Sequence, residues 1–238
     1  MNADWSAGTA ARARVHAALG EPARLAVVEL LVLGDASPSE VGRALGLPSN
    51  LLAHHVKLLE QAGVVERSRS EGDHRRTYLR LRSAALAGLV PGAAGGSVTG
   101  VRRQASRVVF VCSRNSARSQ LATALWGQRS DVPTASAGTR PAERVHPLAV
   151  TTARAHGLSL TRARPRHLDD VLRPDDLLVA VCDNAHEELG AVHPDRLHWS
   201  VPDPAAVGTE EAFDDAYRHL ADRVDRLAPA VRPATEGS

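Results

Sequence analysis

Between Ser83 and Ser106 the chain reads SAALAGLVPGAAGGSVTGVRRQAS, with Pro91 and five glycines (Gly88, Gly92, Gly95, Gly96, Gly100) and no sustained amphipathic period after Val90. Such residues lose much conformational entropy on ordering and bury little surface in return, so the stretch reads as a linker. Each flank has its own complete pattern of elements. The 238-residue chain is therefore expected to form two domains, residues 1–85 and 106–238, joined by a flexible linker over 86–105.

Hydrophobic residues at 43% and charged residues at 24% describe an ordinary globular protein. No stretch approaches 18 uninterrupted apolar residues, which argues against a membrane span. The start, MNADWSAGTAARARVHAAL, lacks the cationic and then apolar order of a secretory signal. Two cysteines do not make a disulfide scaffold, so a reducing, cytoplasmic location is expected. With aromatics at 3%, the core is expected to rely on Leu, Val and Ala. The net charge of +2 hides an asymmetry: residues 1–105 hold 13 Lys/Arg against 9 Asp/Glu, and residues 106–238 hold 16 against 18. Lys57 is the only lysine, and Arg is so abundant that its mere presence says little about phosphate binding.

In the front half, Glu21-Pro22 opens a helical run whose Leu25, Val28 and Leu31/Val32 recur at helical spacing as one buried stripe. Ser37 and Ser39 offer caps for a short helix with Val41 and Leu45, and Gly46-Leu47 makes a tight turn. Ser49 or Asn50 caps a third helix running to about Ala62, with Leu52, Val56 and Leu59 inward and Asn50, Ala53, His54 and Lys57 outward. A helix, a glycine turn and a helix with a polar outer face form the arrangement whose second helix enters a DNA major groove. Two strand-like runs follow, joined by Glu71-Gly72-Asp73. This hairpin holds Arg67, Arg69, Arg75, Arg76, Arg80 and Arg82, which suits a wing that meets phosphates or enters the minor groove. The candidate DNA contacts are Ser49, Asn50, His54 and Lys57 on the helix, and Arg67, Arg75 and Arg76 on the hairpin.

ALGEPARLAVVELL and SPSEVGRALGLPSNLLAHHVKLLEQAGVVERSRSEGDHRRTYLRL, about residues 11–85, resemble the ArsR-type winged-helix family of arsenical-resistance repressors. The resemblance implies a mainly α winged helix-turn-helix, a homodimer on double-stranded operator DNA, and release from DNA on binding a metal or metalloid. One departure matters. Arsenite-sensing members use cysteines, and residues 1–105 contain none. His16, His54, His55 and His74 are the remaining possible ligands, but His54 and His55 lie on the DNA-reading helix, so no metal site is assigned.

In the back half, Arg107–Val111 is an apolar run of buried-strand type leading into Cys112-Ser-Arg-Asn-Ser-Ala-Arg118-Ser119 and a helical stretch. Strand, eight-residue loop and helix form an anion cradle, because successive backbone N–H groups curl toward one point and the helix start adds partial positive charge. The amides of Ser113, Arg114, Asn115, Ser116, Ala117 and Ser119 are the expected oxyanion donors. A cysteine at the start of the loop has its thiolate stabilised by the same field, making Cys112 a nucleophile. Arg118 can fork two hydrogen bonds onto a tetrahedral oxyanion, Ser119 can donate to the thiolate, and Asn115 can tie the loop to itself. Expelling a poor leaving group needs a general acid, and Asp203 of HWSVPDPAA, stiffened by Pro204, can supply it.

The loop Cys112–Ser119, Ser136-Ala-Gly-Thr139, HPLAV (146–150), HLDD (167–170), LLVAVCDNAHEE (177–188) and HWSVPDPAA together resemble the low-molecular-weight protein tyrosine phosphatases, and among them the arsenate reductases. The resemblance spans nearly all of 106–231. It implies an α/β three-layer domain with a four-stranded parallel sheet, Cys112 as nucleophile, Arg118 as oxyanion binder and Asp203 as general acid. Thioredoxin-linked members relay electrons through three cysteines. Cys182 falls where the second lies, and no third is present. Either an external thiol, a mycothiol-like small thiol or one delivered by a redoxin, attacks the Cys112 adduct, or Cys112 and Cys182 form a disulfide that an external reductant opens. The external route is favoured. Arg114 replaces the loop's usual glycine, either adding anion affinity or crowding the cradle.

The favoured reading is a repressor fused to an arsenate reductase with no bound cofactor. The alternatives are a phosphatase, and a regulator whose cradle is a non-catalytic oxyanion or redox sensor. Phosphate and arsenate share shape and charge, but Ala205 follows Asp203-Pro204 where a phosphatase would hold a phenol ring with an aromatic.

Overall fold

A computed structural model describes residues 7–86, 89, 103–193 and 195–233; residues 87–88 and 90–102 of the expected linker lie outside the described residues. Contacts divide the chain into two units: Met1–Arg69 with Arg76–Thr99, and Ser70–Arg75 with Gly100–Ser238.

The first unit begins with a helix that the sequence reading did not anticipate, α1 (Ala7–Leu19), whose apolar positions show little periodicity. Helix α2 (Pro22–Leu31) starts at Pro22, and the Glu21 carboxylate accepts from the Ala23 and Arg24 amides. Its buried residues are Val27, Val28 and Leu31. Leu25, expected in the stripe, is 42% exposed, because the buried face is turned one position along the helix. Helix α3 (Pro38–Leu45) opens with the Ser37/Glu40 capping box and closes on Gly46 in the left-handed conformation, φ 65°. Helix α4 (Ser49–Gln61) buries Leu52, His55, Val56 and Leu59. Its N-cap is Pro48, with no side-chain cap bond, so neither Ser49 nor Asn50 plays that part; Ser49 is the first helical residue. Strands β1 (Val65–Arg69) and β2 (Thr77–Leu81) pair antiparallel, Val65 against Leu81 through Arg69 against Thr77. Tyr78, Leu79 and Leu81 close the core, and a bridge from Ala36 to Leu79 extends the sheet. A single turn, α5 (Ser83–Leu86), follows.

The second unit is an α/β domain. Strand β3 (Arg103–Ala105) lies inside the expected linker span yet is ordered structure: it pairs in parallel with β8 (Val231–Pro233), so the linker ends earlier than composition suggested. Strand β4 (Arg107–Cys112) leads through the loop to helix α6 (Arg118–Arg129). Then come β5 (Thr134–Gly138), α7 (Pro147–Ala155), β6 (Asp176–Ala180), α8 (Asp183–Leu189), β7 (Leu197–His198), α9 (Pro204–Val207) and α10 (Glu210–Leu227). The main sheet is four-stranded and parallel in the order β5-β4-β6-β7. Val108 through Val111, in the middle of β4, have no exposed surface, which explains the unbroken apolar run. Helix α10 alternates charge with Phe213, Ala216, Leu220, Val224 and Leu227, a helical period whose apolar side is buried. The core is less purely aliphatic than expected. Phe110 sits between Trp126 and Trp199, at centroid distances of 5.9 and 5.6 Å, and all three are fully buried. Few aromatics are present, but three of the seven pack together here and contribute a large apolar area to this core.

Candidate active site

A sheet whose strands all run one way gathers its βα loops along the edge formed by the strands' carboxyl ends. Cys112 ends β4 at that edge, and α6 begins at Arg118. Between them the loop's carbonyls are all engaged. The oxygens of Cys112, Ser113, Arg114 and Ser116 accept from the amides of Thr139, Arg140, Ala142 and His146, at 3.3, 2.8, 2.9 and 2.8 Å. A planar trans peptide points its N–H away from its C=O. The amides of residues 113, 114, 115 and 117 therefore face away from the 139–146 segment, to the loop's concave side. One of them shows this directly: the Asn115 amide donates to Cys112 Sγ at 3.2 Å.

Two backbone features hold the curl. Asn115 adopts φ 47°, in the left-handed region that favours glycine. Its side chain holds the strained turn: Nδ2 donates to Ser119 Oγ at 2.8 Å, and Oδ1 accepts from the Arg166 amide at 2.9 Å. Gly138, at the end of β5, passes so close that a Cβ there would lie 2.9 Å from the Ser113 carbonyl oxygen and 3.0 Å from Asn115 N. This accounts for glycine in Ser136-Ala-Gly-Thr139, whose physical role was not visible from residue type.

Ser113, Asn115, Ala117, Arg118 and Ser119 are buried with Cys112, and Ser116 is half-buried. Arg114 is exposed. Ser119 Oγ lies 3.1 Å from Cys112 Sγ. The Arg118 side chain is 4% exposed; Nη1 donates to the Val201 carbonyl at 2.8 Å and to Glu71 Oε1, and Nη2 lies 3.3 Å from Asp203 Oδ1. Burial works against its charge, but the Glu71 and Asp203 carboxylates around it keep it firmly cationic. Asp203 is half-buried and caps α9 by accepting from the Ala205 amide at 3.2 Å.

Cys182 is fully buried at the start of α8, where its sulfur accepts from the Ala185 amide at 3.4 Å and lies 3.7 Å from Ser113 Oγ. Burial pushes its thiol up to about 11, with the Cys112 charge adding to the rise and Arg118 opposing it. Both cysteines are free thiols. Glu71 and Asp183 are site residues that the sequence reading did not single out. Burial would raise the Asp183 carboxyl, but hydrogen bonds from His198 (Nε2 at 2.9 Å) and from the Glu71 amide (2.8 Å) hold it below the ordinary carboxylate range.

In the first unit, Asn50, Ala53, His54 and Lys57 of α4 are exposed together, as the helical spacing required, and Ser49 is exposed at its start. His55, also on α4, faces inward and lies 3.5 Å from Glu21. On the hairpin Arg76 is exposed and Arg67 donates to Glu60 at 2.8 Å; Arg75, which the contacts assign to the second unit, is exposed as well. Arg80, counted among the wing's basic residues, is buried: its Nε lies 3.5 Å from Asp35. It belongs to the interior of the unit, because β2 is buried on both faces from Tyr78 to Leu81.

Residues 107–236 match the model of the low molecular weight phosphotyrosine protein phosphatase family, and residues 19–68 match a helix-turn-helix domain. The chain belongs to the low molecular weight phosphotyrosine protein phosphatase family, with an N-terminal helix-turn-helix fused to an arsenate reductase-like enzyme domain. Arsenate reductase from Bacillus cereus (strain AH187) is 30% identical over 127 residues, 51% of this chain and 92% of that protein. Arsenate reductase from Brevibacillus brevis is 34% identical over 104 residues, 41% of this chain and 76% of that protein. The crystal structure of arsenate reductase from Archaeoglobus fulgidus is 28% identical, with TM-score 0.43, over 51% of this chain and 98% of that one. Among the described residues, no helix is long and apolar enough to cross a membrane.

Proposed function

We propose that this chain is a cytoplasmic, homodimeric, arsenic-responsive repressor that also reduces arsenate, with residues 1–85 binding operator DNA and residues 106–238 performing the chemistry. The observation that carries the enzymatic part is the loop whose outward carbonyls are all bonded while Cys112 Sγ receives the Asn115 amide. Such a loop offers preorganised donors to an oxyanion at no further reorganisation cost. The 30% identity to an arsenate reductase across 92% of its length supports arsenate over a phosphoester. The residue after Asp203-Pro204 supports it too, since Ala205 offers no ring to hold a phenol.

In this reading the loop amides and Arg118 bind arsenate, and the Cys112 thiolate attacks arsenic. Asp203 gives its proton to a departing oxygen, which leaves as water. A second thiol then attacks Cys112 Sγ. The sulfur–arsenic bond breaks, its electron pair stays on arsenic, and arsenite leaves as As(III). The two sulfurs are left as a disulfide, which an external reductant returns to thiols. The second thiol comes from outside, as a mycothiol-like small thiol or by way of a redoxin. Burial pushes the Cys182 thiol up, which disfavours the thiolate that an internal attack would need and so supports the external route.

On the DNA side, Ser49, Asn50, His54 and Lys57 meet the major groove, and Arg67, Arg75 and Arg76 meet phosphates or the minor groove. The deciding experiment is arsenite production by the full-length protein with thioredoxin or with small thiols, beside the Cys112→Ser variant and a parallel aryl-phosphate hydrolysis assay. Loss of arsenite production in Cys112→Ser with DNA binding retained is expected. Arsenate turnover surviving that substitution, or phosphate-ester hydrolysis in place of it, overturns the assignment.

A further inference from the structure

The segment Ser70–Arg75, part of the second unit by its contacts, is held through its backbone. The Glu71 amide donates to Asp183 Oδ2 at 2.8 Å, and the Asp73 amide donates to Glu187 Oε2 at 2.8 Å. Ser70, with 1% of its surface exposed, donates from Oγ to Glu187 Oε1 at 2.7 Å and accepts from the Gly72 amide at 3.0 Å. A Cβ on Gly72 would meet the Glu187 and Asn184 side chains at 2.6 and 2.8 Å, so the backbone lies directly on α8.

This docking aims one side chain. Glu71 Oε1 accepts from Arg118 Nη1, and Oε2 accepts from the Asp203 amide at 2.9 Å. Both carboxylate oxygens are thus used, one of them on the guanidinium expected to grip substrate. Arg118 does not need Glu71 for its placement, because the Val201 carbonyl and Asp203 already hold the same guanidinium. Nor is the contact an economical source of stability. It takes a carboxylate out of water beside two other carboxylates, Asp183 and Asp203, and such burial is repaid only in part by pairing. Burial pushes the Glu71 carboxyl up, against the pull of Arg118.

We propose that Glu71 is an internal ligand of the oxyanion site, and that a tetrahedral oxyanion and the Glu71 carboxylate bind Arg118 in competition, so that oxyanion binding frees the segment Ser70–Arg75. The inference rests on the reading of the Cys112–Ser119 loop as an oxyanion cradle, and it adds that the cradle is self-inhibited. Glu71 holds the guanidinium through one charged carboxylate oxygen, an acceptor of the same kind that an oxyanion presents, so one can stand in for the other. Any ligand that binds only the segment-free form loses apparent affinity in proportion to the fraction of molecules that are closed.

The test uses the full-length chain and inorganic phosphate, so it needs no turnover. Calorimetric affinity is compared between the wild type and Glu71→Gln, and amide hydrogen exchange at Glu71 and Asp73 is followed in the wild type with and without phosphate. Roughly tenfold tighter phosphate binding by Glu71→Gln is expected, the scale of one charged hydrogen bond, together with faster exchange at both amides when phosphate is added. Equal affinities, or phosphate bound with exchange at both amides unchanged, overturn the proposal and leave the cradle standing. Absence of phosphate binding in both proteins overturns the cradle itself and this inference with it. The exchange measurement needs no variant, so the proposal stays testable even where Glu71→Gln does not fold.

Discussion

Ser119 Oγ lies 3.1 Å from Cys112 Sγ and accepts, at 2.8 Å, the hydrogen bond from the Asn115 side-chain amide. A hydroxyl whose lone pair is taken by a donor has its proton free for the sulfur, so the three residues form a directed chain toward Cys112. Ser119→Ala removes that donor. Arsenate turnover is expected to fall about 10- to 100-fold, the range of a hydrogen bond to a charged group. The rate of Cys112 alkylation by iodoacetamide at neutral pH should fall with it while the circular dichroism stays native. Unchanged alkylation would show that the hydroxyl does not act on the sulfur.

Gly138→Ala puts a methyl 2.9 Å from the Ser113 carbonyl oxygen and 3.0 Å from Asn115 N, both backbone atoms that cannot swing aside. Overpacking of this kind costs about 1–3 kcal/mol. Urea unfolding should show that loss, and oxyanion affinity should drop as the cradle spreads. A variant as stable and as tight-binding as the wild type would mean that β5 moves freely relative to the loop.

Asp183 is held below the usual carboxylate range, so it favours the folded state wherever it is ionised in both states. That contribution is complete above the unfolded carboxylate value, about pH 4, and disappears as pH falls through the lower folded value. Urea midpoints of the wild type should therefore decline on acidification below about pH 4. In Asp183→Asn the decline should be shallower, from a lower starting stability at pH 7. Parallel acid limbs for the two proteins would remove Asp183 from the account.

Cys182, its thiol pushed up to about 11 by burial, is neutral at physiological pH. Cys182→Ser is expected to keep arsenate turnover within about threefold when a small thiol is supplied, since the electron pair then comes from outside. Loss of turnover by more than about a hundredfold with every small thiol tried would assign the second sulfur to Cys182 instead.

Lys57→Ala and Arg75→Ala should each weaken operator binding across sequences and reduce the salt slope by about one unit, as lost phosphate contacts do. Arg80→Ala should behave differently. Its guanidinium is buried near Asp35, and deleting one member of a buried pair costs roughly 3–5 kcal/mol, so thermal stability falls first. Fluorescence anisotropy across salt concentrations and thermal unfolding together separate the two classes. A salt slope unchanged by Lys57→Ala and Arg75→Ala would remove both from the DNA surface.

What was legible in the sequence was local. A serine cap at Ser37 or Ser39, the turn at Gly46, the outer face of α4 and the strand–loop–helix around Cys112 depend on residues a few positions apart, whose spacing states their geometry. Long-range pairings were not legible. Arg103–Ala105 becomes a strand only because Val231–Pro233 lies beside it, and Glu71 meets Arg118 from 47 positions away. Helix α1 was missed because its apolar positions do not repeat at helical spacing, and Arg80 was misplaced because a charge run says nothing of which strand face is covered. Motif resemblance located Gly138, but only the carbonyl at 2.9 Å gives the reason for it.

Cys182 has a second employment: its sulfur is the terminal acceptor for the first turn of α8, receiving the Ala185 amide. Turning that side chain toward another sulfur would leave the amide without its acceptor and unsettle the turn that begins with Asp183. Oxidation at this position would therefore be felt first as loosened architecture, and keeping the thiol reduced is part of keeping the helix anchored.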